Sequence, residues 1–136
     1  VKNLDMFSQN IIMMSNFLSY IREIKVNKFL YVSSDAVYSD SKNLLTEKSD
    51  TNPVSLHGIM HLVRENMVKN VFIENHLILR PTLVYGFLDP YNGYGPNLFV
   101  RKSKFENQIE LFGNGEELRD HIYVNDLAFD ANPSPA

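Results

Sequence analysis

The sequence contains no cysteine among its 136 residues, so it can form neither a disulfide framework nor a thiolate metal site. This composition fits a reducing compartment. Its 13 lysines and arginines against 16 aspartates and glutamates leave a net charge of −3, and no basic block could follow a phosphate backbone. No apolar run approaches the roughly 20 residues that span a bilayer, and we identify no signal peptide. We therefore expect a cytoplasmic protein with no nucleic-acid partner and no membrane association.

The first half of the chain alternates between helical and strand patterns. Apolar residues at steps of three and four within residues 7–21 predict a helix that fades at residues 25–27. The continuous apolar run KFLYVSS predicts a strand buried on both faces, as in parallel sheets. A polar loop over residues 35–51 precedes a second helix, with Ser55 as its N-cap. The predicted buried stripe of this helix comprises Leu56, Ile59 or Met60, Val63 and Met67.

The second half carries shorter elements and more turn residues. HLILRP predicts a second buried strand that ends at Pro81, and NLFVRKSKFEN predicts a short helix. The segment IELFGNGEELRDHIYV predicts two short strands with Gly113 to Gly115 between them. The tail NPSPA carries no structural signal. The predicted loop before the short helix contains Gly86, Pro90, Gly93, Gly95 and Pro96.

The order helix, strand, helix, strand indicates an α/β fold. Two buried parallel strands need neighbours on both sides, and this chain supplies few of them. The chain also lacks a G-x-G-x-x-G loop, which would cradle a phosphate at the start of a βαβ unit. We therefore expect the sequence to be the later part of a larger domain.

Four motifs carry most of the remaining information: YVSSDAVYSD, NPVSLHGIMHLVRE, LRPTLVYG and GNGEELRDHIYVNDLA. In this order they resemble the extended short-chain dehydrogenase/reductase family, the NAD-dependent epimerases and dehydratases of nucleotide sugars. The resemblance implies a partial Rossmann-like, doubly wound parallel sheet with the start of a small substrate-binding lobe. Residues 1–86 would be the second half of an NAD(P)-binding domain, 87–128 part of a nucleotide-sugar lobe, and 129–136 a disordered tail.

The resemblance also implies a reaction. Family members oxidise a sugar hydroxyl by passing hydride to bound NAD or NADP, while a base removes the hydroxyl proton. In the family a tyrosine is the base, and a lysine four residues later lowers its pKa from the same helix face. The implied partners are a nucleotide-sugar substrate, NAD or NADP in a complete domain, and a second copy of the protein in a homodimer.

Ser34 and Asp35 match family positions at the end of the first strand. Ser34 falls where a serine or threonine hydrogen-bonds the reacting oxygen; its alternative role is that of a turn-former or cap. Asp35 falls where the 4,6-dehydratases carry an acid, and an ordinary loop aspartate is its alternative. The glutamate that partners this acid in dehydratases is Ala36 here. Because elimination needs both an acid and a base, this departure argues against a standard dehydratase.

His57 aligns with the catalytic tyrosine and His61 with the lysine, and three interpretations compete. His57 could serve as the base, since an imidazole pKa of about 6.5 suits proton transfer at neutral pH. The site could instead be impaired, which would leave a fragment or a nucleotide-sugar-binding protein without turnover. The two histidines could also share a metal, but no third ligand is evident, so we predict no metal site. A structural pair on a wet helix face is the remaining alternative.

Four further residues match the family's cofactor and substrate contacts. Pro81 stops the second strand where the chain passes the nicotinamide, and Tyr85 leads into the loop that faces the sugar. Asn97 matches a contact to the nucleotide diphosphate, and its alternative role is to cap the following helix. Arg119 matches the arginine that clamps the diphosphate through a planar guanidinium, and its alternative is an ion pair with a neighbouring carboxylate.

Overall fold

A computed structural model describes residues 1–39, 44–89, 95–111, 113–116 and 118–131, without the side chain of residue 130. The chain divides into two compact units, Val1–Arg80 and Pro81–Ala136. The first unit contains α1 (Leu4–Glu23), β1 (Phe29–Val32), a 3-10 turn (Asp35–Val37), α2 (Leu56–Val71) and β2 (His76–Leu79). The second unit contains β3 (Leu83–Tyr85), α3 (Gly95–Glu106), β4 (His121–Tyr123) and α4 (Val124–Ala131).

Both helices of the first unit begin at a capping side chain, of which the sequence predicted the second. The Asn3 side chain accepts a hydrogen bond from the Met6 backbone N–H at 2.9 Å and starts α1. Ser55 starts α2 in the same way, through the backbone N–H of Gly58 at 3.0 Å, which confirms the predicted N-cap. These side chains satisfy donors that the first helical turn leaves unpaired, which fixes where each helix enters the unit.

The sheet of the first unit is the parallel pair β1 and β2, in register from Phe29 opposite His76 to Val32 opposite Leu79. α1 and α2 pack against it, and Phe29 stacks on Phe72 with ring centroids 4.6 Å apart. Helices on a parallel sheet confirm the predicted α/β class. The buried core comprises Met14, Leu18, Ile21, Tyr31, Val68 and Phe72.

Two predictions about burial in this unit are wrong. β1 is not buried on both faces: Tyr31 is buried, whereas Leu30 and Val32 are exposed, because no described element covers their side. In α2 the fully buried positions include Glu65 and Val68. Only Met60 of the predicted stripe is buried, and the remaining members Leu56, Ile59, Val63 and Met67 are partly exposed.

The second unit is built on the parallel pair β3 and β4, in register from Leu83 opposite His121 to Tyr85 opposite Tyr123. The sequence did not predict β3, since its three residues directly follow the strand-ending proline. The predicted strand at residues 109–111 is wrong: these residues form no strand, and Leu111 is exposed. α3 starts at Gly95, close to its predicted start.

Other organisational predictions have mixed outcomes. α4 continues to Ala131, so the first residues of the predicted tail are helical, whereas residues 132–136 lie outside the described part. Pro90 and Gly93 of the predicted loop also lie outside it. The division of residues 1–128 into cofactor and substrate parts at residue 86 stays a prediction. Within the described ranges, no helix combines the length and apolar character needed to cross a bilayer.

Candidate active site

The first cluster of predicted site residues lies at the carboxyl end of β1. The Ser33 N–H donates to the Leu79 carbonyl at 2.7 Å, so pairing with β2 extends one residue past the strand. Ser34 then caps the 3-10 turn: its Oγ accepts from the Ala36 N–H at 3.1 Å and donates to Asp35 Oδ1 at 3.0 Å. Ser34 and Asp35 therefore form one hydrogen-bonded group at the strand end, where α/β proteins place their ligands.

A glycine brings the start of α2 against this turn. A Cβ added at Gly58 would lie 2.0 Å from the Ala36 carbonyl oxygen and 2.6 Å from the Pro53 Cβ. Only a residue without a side chain permits this approach, so the backbone of α2 touches the turn that Ser34 caps. His57 precedes this contact directly, and His61 follows one helical turn later.

The two histidines contact each other edge to face. Their ring centroids are 4.7 Å apart and their planes differ by 78°. Nδ1 of His61 is buried and has no hydrogen-bond partner among the described residues. No group of three or more histidine, cysteine, aspartate or glutamate side chains in the described ranges could hold a metal ion. The two imidazoles therefore pack against each other, and Nδ1 of His61 is buried without a partner among the described residues.

The environment lowers the pKa of both rings, which favours their uncharged form. Burial lowers the pKa of His57 below its ordinary value of 6.5, while the negative charge of Asp35 acts in the opposite direction. Burial also lowers the pKa of His61, to about 4, and the neighbouring His57 and Arg64 lower it further. A lysine in place of His61 would ordinarily be cationic at neutral pH, whereas this position carries no charge there.

A buried ion pair stands on the same helix face. Glu65 is fully buried and accepts two hydrogen bonds from Arg80, from Nε at 2.9 Å and from Nη2 at 2.7 Å. Arg80 also donates from Nη1 to the Tyr38 hydroxyl at 2.8 Å, and its guanidinium lies over the Tyr38 ring. Burial alone would raise the pKa of Glu65, but the hydrogen bonds and charge of Arg80 bring it below its ordinary value. Motif matching did not predict this cluster, although Glu65 and Arg80 both stand inside quoted motifs.

The second unit holds a cavity of about 230 Å³. Two predicted substrate residues, Tyr85 and Asn97, line it. Nδ2 of Asn97 donates to the Gly86 carbonyl at 2.6 Å and to Asp89 Oδ2 at 3.2 Å, so its amide holds the loop after β3. Asn97 lies inside the first turn of α3, which begins at Gly95, so it is not the N-cap. The cavity lining is Val84, Tyr85, Asp89, Gly95, Pro96, Asn97 and His121.

His121 and Asp89 are cavity residues that motif matching did not predict. The His121 ring lies edge-on to the Tyr85 ring with centroids 6.4 Å apart, and its Nδ1 is 3.2 Å from the Arg119 carbonyl. His121 is placed beside the cavity by the register of β4 against β3, in which it pairs with Leu83. The sequence signal for His121 was its place as a polar residue at the start of the otherwise apolar segment HIYV.

The last two predicted residues are not brought into these clusters. Arg119 is exposed and is not among the described residues that line the cavity, although its backbone contacts His121. Pro81 begins the second unit, two residues after β2 ends. Their assignment to diphosphate and cofactor contacts therefore stays a prediction.

Parallel strands flanked by helices, with polar side chains gathered at a strand's carboxyl end, define the first unit as Rossmann-like. Comparison with known proteins makes this class specific. The sequence matches the NAD dependent epimerase/dehydratase family over residues 1–129, and the chain belongs to that family.

One curated relative and two solved structures are similar to this chain. The chain is 31% identical over 126 residues to a putative UDP-glucose 4-epimerase of Methanocaldococcus jannaschii, which covers 88% of this chain and 41% of that protein. It is 27% identical to the crystal structure of a Thermotoga maritima UDP-glucose 4-epimerase with UDP-glucose, with a TM-score of 0.76 over 89% of this chain and 42% of that one. A Bacillus anthracis dTDP-glucose 4,6-dehydratase in complex with NAD has a TM-score of 0.77 at 22% identity, over 95% and 44% of the two chains. The chain thus spans about two-fifths of the length of these relatives.

Proposed function

We propose that these residues form the catalytic end of an NAD-dependent enzyme that oxidises and reduces a nucleoside-diphosphate sugar, with His57 as the base. The observation that supports this most is the position of His57 next to the close contact between α2 and the Ser34–Asp35 turn, at the carboxyl end of β1, where burial also lowers the pKa of the imidazole. A base must be unprotonated before it can accept a proton, and His57 meets this condition at neutral pH. NADP is the alternative cofactor.

In this proposal the sugar hydroxyl gives its proton to His57, while the Ser34 O–H turns from Asp35 and donates to the same sugar oxygen. Proton acceptance turns a neutral ring into a cation, whereas a phenolate base becomes neutral. A lysine beside the base stabilises a phenolate but would repel an imidazolium. The uncharged His61 removes that repulsion, and the negative charge of Asp35 favours the imidazolium. The two histidines are therefore consistent as a joint replacement of tyrosine and lysine.

The residues present also fit a nicotinamide cofactor, which would supply the hydride acceptor. The buried Nδ1 of His61 has no hydrogen-bond partner among the described residues, and a ribose hydroxyl could pair with it. Burying such a nitrogen unpaired is unfavourable, so a ligand that satisfies it gains binding free energy. Pro81 would turn the chain past the same ligand.

The cavity of the second unit would receive part of the nucleotide sugar. Tyr85 offers an aromatic ring, and Asn97 keeps the loop after β3 in place through Gly86 and Asp89. Arg119 would hold the diphosphate, because a guanidinium fork matches phosphate oxygens in two hydrogen bonds. UDP-glucose is the first ligand to test, since it is bound in the Thermotoga maritima structure.

Epimerisation or reduction fits the residues better than dehydration. Dehydration needs an acid and a base in addition to the hydride chemistry, and Ala36 stands where the second of these groups would be. The Asp35 carboxylate accepts a hydrogen bond from the Ser34 hydroxyl. This arrangement suits Asp35 to stabilising a positive charge on His57.

A binding protein without turnover is the second candidate. It is favoured by the neutral state of His61, which provides no cation to hold the ribose or to activate a weak base. An imidazole is also shorter than a phenol, and a misplacement of about 1 Å can cost on the order of a hundredfold in rate.

A segment-replacement chimera distinguishes the two candidates. In it, residues 1–129 of this chain replace the matching segment of the Thermotoga maritima epimerase, and the interconversion of UDP-glucose and its 4-epimer is followed with NAD. We expect turnover that His57→Ala abolishes and His57→Gln reduces strongly, with UDP-glucose binding retained in both. The matched control is the double substitution His57→Tyr and His61→Lys, which tests whether the chimera is competent. If only this control turns over while both chimeras bind UDP-glucose, the binding protein is the correct assignment.

A further inference from the structure

We propose that Glu65, Arg80 and Tyr38 form a positioning clamp, which holds the helix carrying His57 and His61 in a fixed rotation against the turn that carries Ser34. This proposal rests on the proposed function only in giving the two histidines a catalytic purpose. None of the three clamp residues needs to touch a ligand.

The clamp joins three elements of the first unit. Glu65 belongs to α2, Arg80 directly follows β2, and Tyr38 directly follows the 3-10 turn. Two hydrogen bonds of 2.9 and 2.7 Å link Arg80 to Glu65, and a third of 2.8 Å links it to Tyr38. Because the guanidinium is planar and its donors have fixed directions, the three bonds specify orientation as well as distance.

The position of Glu65 on α2 couples the clamp to the histidines. It stands four residues after His61 and eight after His57, so the three side chains lie along one face of the helix. A rotation that released Glu65 from Arg80 would therefore carry both imidazoles away from the Ser34 turn. The close contact of Gly58 with Ala36 restrains the start of the same helix, and the clamp restrains it two turns later.

The burial of Glu65 indicates that its ion pair with Arg80 serves to orient α2. Glu65 is fully buried although a carboxylate loses its hydration there, and besides Arg80 the outer Lys69 gives it a longer contact of 3.7 Å. Apolar side chains of similar volume often stabilise a fold at least as well as a buried ion pair. Apolar contacts are not directional, however, and would leave the rotation of α2 less tightly specified.

The test is an NMR titration of His57 and His61 in this chain, which needs neither cofactor nor substrate. The main variant is the double substitution Glu65→Leu and Arg80→Met, which removes the ion pair without leaving one charge buried. If the clamp orients α2, the partly buried His61 ring becomes more exposed, and we expect its pKa to rise by about one pH unit towards 6.5. Nuclear Overhauser contacts between the Gly58 and Ala36 backbones should weaken as well.

The sign of the shift separates orientation from a direct charge effect. Besides Glu65, the charges that act on His61 are those of His57, Arg64 and the Val1 amino group. Glu65 itself raises the pKa of His61, so removing its charge without moving the helix would lower that pKa. A lowered or unchanged pKa with intact Gly58 contacts would overturn the proposal.

Two single substitutions complete the design. Tyr38→Phe removes the hydrogen bond from Arg80 and changes no charge at neutral pH, so it serves if the double variant does not fold. We expect it to raise the pKa of His61 by a few tenths of a unit, and no shift would overturn the proposal. Lys69→Met is the matched control, since Lys69 is the exposed outer partner of Glu65, and it should leave both titrations within about 0.2 units. Since the readout is not turnover, a failed chimera assay and a failed clamp remain separate results.

Discussion

Replacing Gly58 with alanine should destabilise the chain, although alanine is the better helix former. Helix propensity alone would favour alanine over glycine by about 1 kcal/mol inside α2. The new Cβ, however, would lie 2.0 Å from the Ala36 carbonyl oxygen, where ordinary contact begins at 3.4 Å. The backbone of α2 or of the turn would have to move by about 1.4 Å, the difference between these two distances. Overpacking of this kind costs about 1–3 kcal/mol or more, so we expect a net loss of about 2 kcal/mol.

Urea unfolding followed by far-ultraviolet circular dichroism measures this change. Asn70→Ala is the matched control, because Asn70 is exposed on the same helix and its side chain donates to the Asn66 carbonyl of that helix. The control should change the free energy of unfolding by no more than about 0.5 kcal/mol. If Gly58→Ala were as stable as the parent chain or more stable, the close approach of α2 to the Ser34 turn would be refuted. The same displacement should lower turnover in the chimera on the order of a hundredfold.

Three further outcomes are expected. Because the pKa of His61 is lower in the folded chain than in the unfolded one, protonation favours unfolding. The stability it contributes is complete above pH 6.5 and is lost as the pH falls towards 4. A pKa shift of this size corresponds to about 3 kcal/mol in the free energy of unfolding, which partial exposure of His61 reduces to about 1–2 kcal/mol. His61→Asn should remove that part of the acid sensitivity, as measured by urea titrations at pH 7 and pH 4.5. Arg119→Lys in the chimera should weaken UDP-glucose binding about tenfold by calorimetry, since a lysine offers a point charge in place of a fork, and unchanged affinity would exclude the diphosphate role. This chain alone should not bind NAD at micromolar concentration in the same instrument, because its sequence has no glycine-rich phosphate loop, and micromolar binding would contradict that expectation.

Local signals predicted the frame of the first unit. The Ser55 cap, the helical periodicity and the short β-rich runs located α1, β1, α2 and β2, because each depends on residues within a few positions of one another. The motifs then identified the family, since their order reflects the order of these elements. The parallel pairing of β1 with β2 follows from the helical connection between them.

Long-range pairing explains what the sequence did not predict. Glu65 interrupts the apolar pattern of α2, and its burial depends on Arg80, 15 residues further along the chain. A periodicity argument assigns a glutamate to solvent because it cannot include a partner on another element. β3 was missed for a related reason: its three residues form a strand through pairing with β4, almost 40 residues later. Residues 109–111 show the opposite error: Ile109 and Leu111 alternate with a polar residue as in a strand, but they have no described strand to pair with.

The pH dependence of kcat/KM in the chimera tests most directly whether His57 is the base. The acid limb of this profile reports the pKa of the essential base in the free enzyme. With His57 as the base, the limb should fall below pH 6.5, the ordinary histidine value from which burial lowers it. The double substitution His57→Tyr and His61→Lys should move the limb upwards, because a tyrosine starts from a pKa near 10 even when a lysine lowers it. An acid limb that stays at the same pH in both proteins would show that another group removes the proton.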